Sequence, residues 1–118
     1  MQKKKPMRET DKLVFQIALC TITPFDSIKS MEAKIRTTVH NNALRNGTSP
    51  LAILRDMWTN LTSGHAHRRM NEMIAKGYME PLSFDEFDAR KELYKTFQYR
   101  ARHLEQTKAK ARAEGLIK

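Results

Sequence analysis

The sequence predicts a mainly α-helical fold: one N-terminal strand followed by helices, or an all-α bundle of four or five helices. Three observations carry this. Apolar residues recur every three or four positions through most of residues 25–104. Helix-start signals recur at Thr23-Pro24, Ser49-Pro50 and Ser83-Phe84-Asp85-Glu86. Breakers are scarce, with four glycines and four prolines in 118 residues, so this is not a loop-rich chain. The length fits one domain.

Residues 1–9 (MQKKKPMRE) have little to pack and are expected to form a flexible basic arm. Residues 10–104 form the helical core. Within it, residues 12–22 admit two forms. Leu13, Phe15, Ile17 and Leu19 alternate with Val14, Gln16, Ala18 and Cys20 in a run rich in strand formers. The same run suits a short buried helix capped by Thr10 or Asp11, because periodicity does not separate short apolar runs.

Thr23-Pro24-Phe25-Asp26 starts the next helix: Thr23 caps, Pro24 takes the first position, and Asp26 sits at the positive end of the dipole. Phe25, Ile28, Met31 or Glu32, Ile35 and Val39 mark its buried face, and Asn46-Gly47 ends it. Ser49-Pro50 restarts a helix with the stripe Leu51, Leu54, Trp58 and Leu61, ending at Ser63-Gly64. A short helix spans about residues 65–76, with Met70, Met73 and Ile74 inward, closed by Gly77 and Tyr78. Ser83 and Glu86 form a capping box. The helix it opens is predicted to reach Gly115 on the stripe Phe84, Phe87, Tyr94, Phe97, Ala101 and Leu104. Beyond Leu104 only alanines continue the stripe, so residues 105–118 are read as a projecting basic helical tail.

Charge placement says more than the net +9. Residues 1–12 carry five basic and two acidic side chains, residues 13–89 eight of each, and residues 90–118 nine basic against three acidic. Basic ends on a neutral body suit a polyanion. The candidate nucleic-acid contacts are Lys3, Lys4, Lys5, Arg8 and Lys12 near the start, and Arg100, Arg102, Lys108, Lys110 and Arg112 near the end. Tyr99, off the apolar stripe among cations, is the one aromatic placed to stack on a base.

Other motifs take ordinary readings. His65-Ala66-His67 resembles the metal pair of rolling-circle nucleases, but that site needs a central strand, and here the histidines open a helix. The remaining His and Cys lack zinc-ligand spacing. Residues 65–80 resemble a winged-helix recognition helix with Arg68, Asn71, Glu72 and Ala75 outward. The stretch before Ser83 is too short for a wing, so an amphipathic helix closing the core is preferred, with Arg68 and Arg69 as phosphate contacts. Asp85, Glu86 and Asp88 sit where a helix dipole favours them. No nucleophile–base pair or phosphate loop stands out, so the chain is read as non-enzymatic, without metal or cofactor. One cysteine fits a reducing, cytoplasmic setting, and the longest apolar run is too short to span a bilayer.

Residues 12–62 resemble the ribbon-helix-helix family of DNA-binding proteins, most of all its methionine-repressor branch. The resemblance rests on the order strand, Thr23-Pro24 junction, long helix, Asn46-Gly47-Thr48-Ser49 turn, and the helix PLAILRDMWTNL with Arg55 in its middle. It implies a homodimer whose two chains share an antiparallel ribbon lying in the DNA major groove. Lys12 and Gln16 would then face bases, with Gln16 pairing to adenine. The backbone N–H groups after Ser49 would meet a phosphate. Val14 and Ala18 on the same ribbon face depart from the family's polar pattern.

These readings converge on a DNA-binding regulatory or nucleoprotein accessory protein, repressor-like, with duplex DNA the favoured partner. RNA binding by the C-terminal basic helix is the alternative. A helical adaptor or inhibitor that docks on an acidic partner is the reading from another class.

Overall fold

A computed structural model describes residues 7–118. Glu9–Thr21 folds as helix α1, and no strand occurs among the described residues. The expected N-terminal strand is therefore corrected. α1 packs against four other helices at once, so Leu13, Val14, Ile17, Ala18, Leu19 and Cys20 are all buried. A helix covered on every side needs apolar residues on every side. That removes the one-sided pattern by which helices are recognised and leaves an apparent alternation. Arg8, not Thr10 or Asp11, stands at the N-cap, with no side-chain cap bond. Gln16 is only 8% exposed, so it faces the bundle interior and not a groove-reading surface.

α2 spans Ile28–Asn46. It starts later than Thr23-Pro24 predicts. Pro24 and Phe25 form a turn closed by the Asp26 N–H donating to the Thr23 carbonyl at 3.1 Å. Ser27 is the actual cap, accepting from the Ser30 N–H at 3.1 Å. Phe25 consequently leaves the buried stripe and is 96% exposed. Gly47 ends α2 in the left-handed region, φ 62°, and the Thr48 N–H returns to the Ala43 carbonyl at 3.0 Å.

α3 (Pro50–Thr62) begins at the predicted Ser49-Pro50 signal, with Ser49 Oγ accepting from the Ala52 N–H at 3.2 Å. α4 (Ala66–Ala75) buries Ala66, Met70 and Met73. α5 (Phe84–Arg102) is capped by Ser83 and buries Tyr94, Phe97, Gln98 and Ala101, whereas Phe84 lies exposed. The predicted single helix to Gly115 is broken at His103, whose φ −112° and ψ 49° are not helical. α6 (Leu104–Ala113) then packs against α1 and α5. The tail therefore does not project freely: Ala111 is 3% exposed, and Leu104, Thr107 and Lys108 are half-buried on the same side.

Among the described residues the architecture is a six-helix bundle around α1, an all-α arrangement close to the predicted bundle alternative. α5 closes it. Arg100 Nη1 donates to the Cys20 and Ile22 carbonyls at 3.1 and 2.7 Å. This supplies the cation that the last turn of α1 lacks. Gln98 Nε2 donates to the Asn60 and Ser63 carbonyls at the end of α3. Among the described residues, no helix is long and apolar enough to cross a membrane.

Candidate nucleic-acid interface

Many of the cations are occupied within the fold. Arg55 makes a two-pronged bond to Glu9, at 2.9 and 2.8 Å, and Arg36 reaches Asp11 at 3.0 Å. Lys34 pairs with Asp26 at 3.1 Å and Lys76 with Asp56 at 2.8 Å. The Arg55 bond holds Glu9 below its ordinary carboxylate pKa, with the Arg55 and Lys12 charges adding to it against desolvation. Three of the eight basic side chains of residues 13–89, Arg36, Arg55 and Lys76, thus fasten one helix or helix end to another.

The predicted contacts divide along the same line. Lys3, Lys4 and Lys5 lie outside the described residues. Arg8 is exposed and bonds Asp11 at 3.3 Å within its own turn. Gln16 is enclosed, and Arg100 is spent on the end of α1. Arg69 is largely covered, donates to Glu72 at 3.1 Å, and has a buried Nε with no partner. Ser49 is exposed, but its cap takes the Ala52 N–H, its carbonyl takes the Ile53 N–H at 3.3 Å, and Pro50 has none to give. Few α3 donors remain there for a phosphate. Lys108 is mostly covered beside Glu105 at 3.6 Å. Lys12, Arg102, Lys110 and Arg112 are exposed and have no carboxylate partner among the described residues.

Arg68 stands apart because of where it sits. α3 and α4 are joined by three residues, Ser63, Gly64 and His65, the connection length of a helix-turn-helix unit. His65 takes the left-handed conformation, φ 66° and ψ 63°, which few residues besides Gly, Asn, Asp and His adopt readily. Its carbonyl accepts the Arg69 N–H at 2.9 Å to start α4. α4 touches only α3 and α5 among the described helices. Its outer face presents Arg68, Asn71 and Ala75, while His67 packs edge-on against Phe87 of α5, ring centres 4.9 Å apart. The Arg68 side chain is 74% exposed, with a loose 3.6 Å link to Glu72.

The end of α5 meets this unit at its turn. A Cβ at Gly64 would come within 2.9 Å of Arg102 Nη2, so the absent side chain leaves room for the guanidinium. Arg102 therefore lies beside His65 and the first turn of α4. Tyr99, 61% exposed, stacks at a tilt on His103 with ring centres 4.4 Å apart. An exposed aromatic thus sits within one turn of Arg102. The sequence flagged Arg68, Arg102 and Tyr99 singly. It did not show that Arg102 meets the α3–α4 turn, because that depends on how the end of α5 packs there, with Gln98 bound to the Asn60 and Ser63 carbonyls. Comparison with family models, with curated proteins and with solved structures gave no match.

Proposed function

We propose that the chain is a nucleic-acid-binding protein that docks on duplex DNA through the outer face of α4, in a non-enzymatic, regulatory or accessory role. The observation that carries this reading is the convergence of three features. The second helix of a three-residue-linked pair has an exposed polar face, Arg102 stands at its turn, and the exposed Tyr99 lies within one helical turn of Arg102 on α5. Arg68 and Asn71 have the side-chain chemistry to read guanine and adenine edges in a major groove that admits a helix. Arg102, Lys12, Lys110 and Arg112 supply phosphate neutralisation, which is sequence-independent.

A second reading has its own support. Tyr99 beside cations suits stacking on an unpaired base, the mode by which single strands and RNA loops are held.

Mobility shifts on duplex DNA, single-stranded DNA and structured RNA test both. The first reading expects duplex retention, with Arg68→Ala and Asn71→Ala altering preference among duplex sequences. The second expects single strands or RNA to bind tighter, with Tyr99→Ala losing roughly tenfold or more, in line with one base-stacking contact. Retention of none of the three in dilute buffer rejects both.

A further inference from the structure

The α2 and α5 backbones stay more than 8 Å apart, although both pack on α1 and α3. A cleft of about 400 Å³ lies between them. Its walls run from Met31 to Thr38 on α2 and from Arg90 to Phe97 on α5, about two helical turns each. Ile17, Met57, Leu61 and Met73 lie beneath, so the cleft opens onto the apolar core. Unbranched methionines at such a surface adapt to an inserted group.

Phe25 belongs to a turn at the edge of this cleft. Its neighbours in the turn, Thr23 and Asp26, line the cleft, while the Phe25 ring points to solvent with 96% exposure. The turn that carries it is held by the Asp26–Thr23 and Asp26–Lys34 contacts, so the ring is presented by a fixed support. An apolar knob and an apolar hole therefore share one patch. A patch of that kind is self-complementary across a two-fold axis, because each copy offers its knob to the other's hole.

Charge selects the same occupant. The chain carries +9 overall, so most faces of two copies repel one another. The rim of the cleft is balanced, with Asp26 and Lys34 on one side and Glu80 and Arg90 on the other. Asp26 and Lys34 already neutralise each other at 3.1 Å, so two copies meet here with less repulsion than at a wholly basic face.

We infer that a second copy of this chain occupies the cleft: the protein forms a two-fold dimer in which each Phe25 inserts between α2 and α5 of its partner. The contact replaces the shared ribbon as the route to a dimer, and it stands whether or not the chain binds nucleic acid. Two phenyl rings and the cleft surface they cover form a small interface, so association is reversible and is expected at roughly micromolar concentration and above.

Sedimentation velocity of the full chain across a concentration series tests this. The wild-type chain is expected to shift from monomer to dimer. Phe25→Asp, at an exposed position that leaves the core untouched, is expected to remain monomeric up to at least tenfold higher concentration. Leu93→Glu, which places a charge on the cleft wall, is expected to do the same with an unchanged helical circular dichroism spectrum. A wild-type monomer at every concentration would overturn the proposal, as would a dimer indifferent to Phe25→Asp. Native mass spectrometry showing a monomer loaded with an apolar small molecule would also overturn it, by assigning the cleft to a different occupant.

Discussion

Asn42 is 1% exposed on α2, and its amide donates to the Thr38 carbonyl at 2.8 Å and the Gly77 carbonyl at 3.1 Å. The second bond ties α2 to the turn after α4. Gly77 has φ +78°, and an added Cβ would meet both Arg45 Nη1 and Asn42 Oδ1 at 3.1 Å. Asn42→Ala leaves the Gly77 carbonyl without this donor and is expected to cost about 1–3 kcal/mol. The shift of the urea midpoint measures it, and a midpoint equal to wild type would show that the bond contributes nothing. Cys20 makes a sharper residue-scale prediction. Burial pushes its thiol up to about 12, against a smaller opposing pull from the Arg100 charge. The native protein should therefore resist thiol reagents at neutral pH and react only on unfolding. Rapid labelling without denaturant would mean that α1 is not enclosed as described.

At the scale of elements, the pair α3–α4 is fastened by Asp56. Its carboxylate accepts from Lys76 Nζ and from Tyr78 Oη, each at 2.8 Å. Burial raises the Asp56 pKa, but the two hydrogen bonds and the Lys76 charge together outweigh it and leave the group below its ordinary value. Burial first, then the Asp56 bond and charge, push Tyr78 above its ordinary value. The signs follow from linkage. A depressed carboxylate stabilises the fold above its unfolded pKa, and this is lost as pH falls through the folded value. A raised tyrosine stabilises below its unfolded pKa, and this is lost as pH rises toward the folded value. Stability should therefore be level between about pH 5 and about pH 9 and fall on either side. Asp56→Asn should shrink the acid limb, alongside the parts due to Glu9, Asp11 and Asp26, whose pKa values are also lowered. Denaturation curves over pH measure this, and an acid limb identical in the variant would contradict it.

Helix ends written in local chemistry were legible from sequence: Asn46-Gly47, Ser49-Pro50 and Ser83 act where their side chains and backbone preferences predict. α1 was not, because its conformation follows from being surrounded. The start of α2 was misread because Thr23 and Ser27 both offer caps, and the Pro24 turn gave the role to Ser27. The break at His103 has no glycine or proline to announce it. The candidate interface was half legible. Its residue types stood out, while the approach of Arg102 to Gly64 is a property of packing.

For the whole molecule, the decisive quantity is how charge is divided between fold and surface. Six of the eight cations within residues 13–89 have carboxylate partners: Arg55 and Arg36 tie α3 and α2 to α1, Lys76 ties the end of α4 to α3, Lys34 pairs with Asp26, and Arg68 and Arg69 share Glu72. Those left without a carboxylate partner include Lys12, Arg102, Lys110 and Arg112. These four cations are exposed and contribute positive surface potential. Fluorescence anisotropy of a labelled duplex, titrated with the wild-type chain and with an Arg102→Ala/Arg112→Ala variant over a salt series, tests that division most directly. Each phosphate contact contributes about 0.9 to the slope of log affinity against log salt, so the double variant should bind more weakly and with a slope shallower by about 1.8. Equal slopes for the two proteins, or no binding by the wild-type chain at the lowest salt, would contradict the account.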